Sequence, residues 1–261
     1  MDRYEVLVPM RIALALATEM KIPRLLLTTL LVASLPGCGG IPSVRDDVTG
    51  DGLTVPTLVG VAEGEMEIRL FGAVDNNDAI GVANALAQGA KVDTVDIYGS
   101  TPLMWASSRG QEDVVALLLE YGADPNYLNS LLRTNPLIVA AQFGQGNVIR
   151  QLVEAGADID ASPIGDTQAI HIAVAHNQPE SIHALAEMGA DVNSIDRRPP
   201  IVLAAQYGWV EAATALLEEG ADPLIVFSGS NTAAGIARGF GFPEVAEVIE
   251  SYYPENRDTD D

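Results

Sequence analysis

Three histidines, one cysteine and 36 carboxylates are the residues of this 261-residue chain that could do chemistry. The histidines, His171, His176 and His183, crowd into one short stretch and raise the question of a metal or haem site. A shared ion needs its donors on one face, each about 2 Å from a common point. The carboxylates raise the question of an acid–base pair, which needs two groups converging on one reacting atom. Here they are scattered along the chain, the pattern of a solvated surface. The sequence holds no Gly-rich phosphate loop, no paired histidines around a glutamate and no G-x-S-x-G,. Whether the histidines converge depends on the elements that hold them.

Those elements repeat. Gly-Ala occurs at 89–90, 122–123, 156–157, 189–190 and 220–221. An alanine recurs with it, at Ala73, Ala106, Ala140, Ala173, Ala204 and Ala237. Four residues past each alanine stands Asn77, Gly110, Gly144, Asn177, Gly208 or Gly241, and 12 past each of the first five lies the Gly of the next Gly-Ala. These two spacings never vary, and all length variation falls between a Gly-Ala and the next alanine. Segments of fixed length are packed helices, because an insertion would rotate the buried face; the variable segment is an exposed loop. Gly or Asn at a fixed place marks a left-handed residue that ends a helix. Each unit therefore reads as loop, short helix, tight turn, longer helix, Gly stop. In "GSTPLMWASSRGQEDVVALLLEYGADPN", Thr101 caps the first helix and Pro102 opens it, while Val114, Val115, Leu118 and Leu119 form the apolar stripe of the second,.

This pattern resembles the ankyrin repeat, with its T-P-L-H-x-A signature and period of about 33 residues. The resemblance covers residues 66–253 as six units, near 66–98, 99–131, 132–165, 166–197, 198–229 and 230–253. It implies an all-α ankyrin-repeat solenoid of helix-turn-helix units joined by hairpin loops. The units diverge from the signature. Its His survives only as His171, against Phe71, Met104, Ile138, Val202 and Gly235 elsewhere, and Thr-Pro survives intact only as Thr101-Pro102. The first unit, with Arg69 in the Pro place, and the last, which ends before any Gly-Ala, read as caps,. Within this frame the histidines part company. His171 belongs to the loop-bonding signature, His176 to the exposed face and His183 to a second helix, so no metal and no cofactor is expected.

The resemblance also implies a partner-binding concave face, formed by loop tips and first helices. The residue before each helix-ending Gly or Asn is Arg109, Phe143, His176, Tyr207 or Phe240. A ladder of large groups on a solvated face suits an interface, although the same rings could simply cement neighbouring units. With Trp105 and the loop residues Tyr98, Leu132 and Ile164, these are the expected binding residues; Ile97 and Leu131 add apolar tips.

Cys38 lies outside the repeats, in "LPGCGG". Lys21 and Arg24 precede an apolar run from Leu25 to Leu35, too short to span a bilayer and suited to an export signal,. The stretch resembles a bacterial lipoprotein signal with Cys38 as the lipidated first residue; Pro36 departs from the Ala or Ser usual at its place. "MKIPRLLLTTLL" reads as a natural start at Met20. The expected organisation is an export signal over 1–37, a tether over 38–65 rich in Gly, Pro, Asp and Thr, the repeats over 66–253 and an acidic tail over 254–261,. In the tether, "DVTGDG" opens like a calcium loop, but Leu58 stands where the closing glutamate belongs,.

A net charge of -22 disfavours nucleic acid and anionic headgroups,. The expected protein is a monomeric, non-catalytic binding module for another protein, held by an N-terminal lipid on the periplasmic side of a membrane, the outer one favoured by Gly39. The alternatives are a soluble periplasmic protein, an inhibitor or immunity protein for a basic toxin or enzyme, and an accessory of oxidative-stress defence, the last by resemblance to bacterial periplasmic ankyrin proteins.

Overall fold

The computed structural model describes residues 64–254, apart from 164–166, 196–197 and 228–230. Cys38, the expected signal and tether before residue 64, the Asp47–Gly52 stretch, Ile164 and the tail after residue 254 lie outside the described residues.

Twelve helices appear among the described residues, as six antiparallel pairs. The first helices are α1 (Glu65–Asp75), α3 (Pro102–Arg109), α5 (Pro136–Gln142), α7 (Ala169–Ala175), α9 (Pro200–Tyr207) and α11 (Ala233–Phe240). The second helices are α2 (Ala79–Ala87), α4 (Glu112–Glu120), α6 (Gly146–Glu154), α8 (Pro179–Glu187), α10 (Val210–Glu218) and α12 (Pro243–Ser251). Local chemistry sets the starts. Pro102, Pro136 and Pro200 occupy first-turn positions, where a missing N–H costs nothing,. Thr101 Oγ1 accepts from the Met104 N–H at 3.3 Å and Asn135 Oδ1 from the Ile138 N–H at 2.8 Å,. In the first unit Arg69 replaces the proline. Nothing stops the helix there, so it runs back to Glu65, whose carboxylate meets Arg69 at 2.5 Å. The expected order of short then longer helix is therefore reversed in this unit, where α1 has 11 residues and α2 has 9.

The fixed spacing has the backbone basis it implied. Asn77, Gly110, Gly144, Asn177, Gly208 and Gly241 all have positive φ, between 50° and 87°. They reverse the chain at each unit, and the Gly of each Gly-Ala does the same after the second helix.

First helices pack side by side in chain order, and second helices do likewise, giving two layers. The core lies between them. Ala106, Ala140, Ala173, Ala204 and Ala237 of the first helices are fully buried, as are Leu118, Leu152, Leu185, Leu216 and Ile249 of the second. Alanine in one layer lets the branched side chains of the other close the gap; each such side chain contributes about 1.5–3 kcal/mol. Two of the connecting loops are hairpin-like. Asn129 and Thr134 bridge one, and β1 (Val226–Phe227) pairs antiparallel with β2 (Asn231–Thr232) in the last.

Candidate partner-binding face

The residue that ends each first helix stands at one register position across the first-helix layer. Parallel neighbours bring these positions into a row: Arg109, Phe143, His176, Tyr207 and Phe240. Two members are strongly exposed, Phe143 at 41% and Phe240 at 61%. Tyr207 is half-buried against the core, and His176 is half-buried with its pKa lowered, because burial disfavours the charged ring,.

Arg109 and Trp105 are engaged within the array. The Arg109 guanidinium lies 4.8 Å from the Trp105 ring centre and donates to Asp75 at 2.7 Å. Trp105 meets Phe71 edge-on at 5.2 Å and donates its indole N–H to Asp96 at 2.9 Å. Here the large groups cement units one and two, whereas Phe143 and Phe240 face solvent. Of the loop tips, Tyr98 and Leu131 are exposed and Leu132 is half-buried. Asp96 builds the tip beneath Tyr98. It is buried and accepts the N–H groups of Tyr98 and Ser100 as well as the Trp105 indole.

Beyond the first unit, whose α1 holds three acids and whose α2 holds none, helical acids are segregated between the layers. The four central first helices, α3, α5, α7 and α9, contain no Asp or Glu, while α4, α6, α8, α10 and α12 each carry at least one. Polar side chains there point to water and their helices bury the opposite stripe.

The histidines are held apart. His171 Nε2 lies 3.1 Å from the Arg198 carbonyl of the next loop, the loop-bonding place of the signature. His183 sits on α8 between Glu219 at 2.7 Å and Glu218 at 3.6 Å. Because the two carboxylates meet opposite ring nitrogens, they cannot share one ion with this ring. No group of three or more His, Cys, Asp or Glu side chains among the described residues is arranged to hold a metal. Among the same residues no helix is long and apolar enough to cross a membrane.

Some of the residues that join unit to unit escaped the sequence reading. Asn126 donates to the Gly156 carbonyl at 2.8 Å and accepts from the Asp158 N–H at 2.8 Å; Asn193 does the same to Gly220 and Asp222. Asp93 occupies the same place one unit earlier. It accepts from the Asp124 N–H, and its pKa is raised mainly by burial. The signal was present, since each stands four residues after the Gly of Gly-Ala. Gln111 reaches back to donate to the Val74 carbonyl at 2.8 Å.

Comparison with known proteins agrees with this geometry. The family described as ankyrin repeats (3 copies) matches residues 70–163 and 128–196. The chain is 30% identical over 179 residues to ankyrin repeat protein nuc-2 of Neurospora crassa, covering 54% of this chain and 17% of that protein. It is 30% identical over 185 residues to a putative palmitoyltransferase, ZDHHC13, of Danio rerio, covering 69% of this chain and 28% of that one. The matched stretch thus spans less than a third of either relative. Among solved structures, the human ASB11 ankyrin repeat domain aligns with a TM-score of 0.60 at 24% identity, over 70% of this chain and 82% of that one. The ankyrin repeat domain of Bcl-3 aligns at 0.61 and 25%, over 70% and 85%. An ankyrin repeat domain from Acinetobacter baumannii aligns at 0.59 and 24%, over 70% and 96%.

Proposed function

Residues 65–251 form an ankyrin-repeat solenoid, and from that premise we propose that its first-helix and loop face binds a partner protein and that the chain displays this face on the periplasmic side of a bacterial membrane. The fold is a binding scaffold without catalytic machinery of its own. The observation that carries the binding reading is the exposure of Phe143 and Phe240 in a layer whose central helices have no carboxylates. Exposed rings in a neutral setting are the groups that anchor interfaces, since they bury much area and lose few rotamers. Photo-crosslinking from position 143 or 240 in intact cells should trap a discrete protein that position 154, on the second-helix layer, does not. Equal trapping from 143 and 154 would overturn this assignment of the face.

Display rests on the "LPGCGG" stretch. A lipid on Cys38 would fix the location and the tether would give reach; stable anchoring needs more than one acyl chain. Cys38→Ser should move the protein from membrane to soluble fractions, and an unchanged distribution would sink the display reading while leaving binding untouched. A second reading, neutralisation of a basic toxin or enzyme, is favoured by the acids of the second-helix layer. Partner affinity that collapses with added salt would support it over the aromatic face.

A further inference from the structure

The first unit departs from the later ones at positions that turn toward the open end of the array. Counting from the fixed turn residue, Gly72 holds the place of Trp105, Val139, Ile172, Leu203 and Ile236. Ala85 holds the place of Leu118, Leu152, Leu185, Leu216 and Ile249. Where later units have large apolar side chains, α1 and α2 have a groove of about 370 Å³, floored by Gly72, Gly81 and Ala85. A Cβ added to Gly72 would meet no atom within 4 Å among the described residues beyond its own helix and chain neighbours. One wall is formed by Asn84 and Gln88, exposed side chains four residues apart and therefore on one face of α2,. A primary amide offers a donor and an acceptor together, the complement of a peptide group. A small apolar floor beside such a wall suits an extended main chain that carries apolar side chains.

The chain enters α1 at Gly64, whose φ of 145° suits glycine,. The Glu67 carboxylate lies against Gly64 and accepts the Lys91 N–H at 3.3 Å, which fixes this entry beside the end of α2. Lys91 stands three residues after Gln88, so the preceding chain leaves at the Gln88 end of the groove. Asn76 lines the groove at its other end. From Gly64 to Asn76 is twelve residues of helical rise, about 18 Å,. Directly before Gly64 stand residues 58–63, LVGVAE, which lie outside the described residues. Extended, six residues reach about 20 Å, the length of the groove. Residues 58–62 carry no polar side chain. A segment joined at one end to its own site has an effective concentration in the millimolar range, which favours it over a free peptide. We infer that residues 58–63 fold back into this groove as an extended strap and close the open end of the array. The strap is independent of which face binds a partner.

The test is hydrogen exchange, read by mass spectrometry on the full chain in detergent micelles at neutral pH. Amides of residues 58–63 should exchange about tenfold or more below their intrinsic rates. Gly72→Trp puts an indole into the groove from a position with open space. It should return residues 58–63 to their intrinsic rates while α3–α12 keep theirs. Asn84→Ala/Gln88→Ala, a change of two exposed side chains, should also weaken the protection of residues 58–63. Leu58→Asp/Val59→Asp/Val61→Asp should speed exchange in α2 about tenfold, and Leu53→Asp/Val55→Asp should not. A plain extension of α1 back through residue 63 would keep its protection in Gly72→Trp and in the amide pair, and that result would overturn the strap. Residues 58–63 at their intrinsic rates in the unsubstituted chain would overturn it too. Protection that grows with protein concentration would assign the groove to the segment of a second copy and overturn the fold-back.

Discussion

Replacing Gly208 by alanine separates the two constraints that a repeat turn imposes. Gly208 closes α9 with φ 77° and ψ 23°. A Cβ in the left-handed region costs about 1–2 kcal/mol. At this position it would also stand 2.5 Å from Phe242 Cδ1, closer than real contacts allow. Phe242 is half-buried and packs on the core from the next unit, so its ring must shift, at a further cost of about 1–3 kcal/mol for overpacking,. Gly208→Ala is thus expected to lose about 2–5 kcal/mol. Gly122→Ala is the internal comparison. Gly122 has φ 84°, and among the described residues no atom beyond its own chain neighbours lies within 4 Å of its added Cβ, so only the backbone cost applies. Urea unfolding followed by far-UV circular dichroism measures both. Hydrogen exchange should place the larger loss in α11 and α12, because a solenoid transmits damage chiefly to adjacent units. In the Gly208→Ala/Phe242→Ala double variant, the cost should fall short of the sum of the singles. Equal losses at Gly208 and Gly122, or strict additivity with Phe242→Ala, would refute the clash as the cause.

Three further outcomes are expected. His176 has a pKa lowered by burial; above about pH 6.5 its ring is neutral folded and unfolded, and below that the unfolded chain takes the proton first, so stability should fall as pH drops. His176→Phe should flatten the slope of unfolding free energy from about pH 7 to 5.5, and an unchanged slope would count against this. The Ser181 hydroxyl is fully buried without a hydrogen-bond partner among the described residues, so Ser181→Ala should be neutral or gain about 1 kcal/mol in urea unfolding; a clear loss would count against an unpaired hydroxyl. Leu152 is fully buried between layers, and Leu152→Ala should cost about 2–5 kcal/mol, read from the same denaturation midpoint.

Much of the fold was legible before any coordinates. The spacings of 4 and 12 located every unit, because helix ends need left-handed residues and helices on a common core tolerate no insertion. Thr101 and Pro102 announced the start of α3, and both act as read. The site was legible only in outline. Arg109 and Phe143 hold the same register position, yet one is tied down by Trp105 and Asp75 while the other faces water. Asp75 lies 34 residues before Arg109, and nothing in the local pattern of either unit reports that contact.

The sequence by itself determined the number of units, their turns and the identity of the buried stripes, since these follow from dihedral preference and periodicity within a single unit. Tertiary structure decided which rings face water, as Phe143 and Phe240 do, and which large groups are tied down within the array, as Arg109 and Trp105 are. Those outcomes depend on contacts between units some thirty residues apart in the chain, and on side chains whose exposure is set by the neighbour's residues rather than their own.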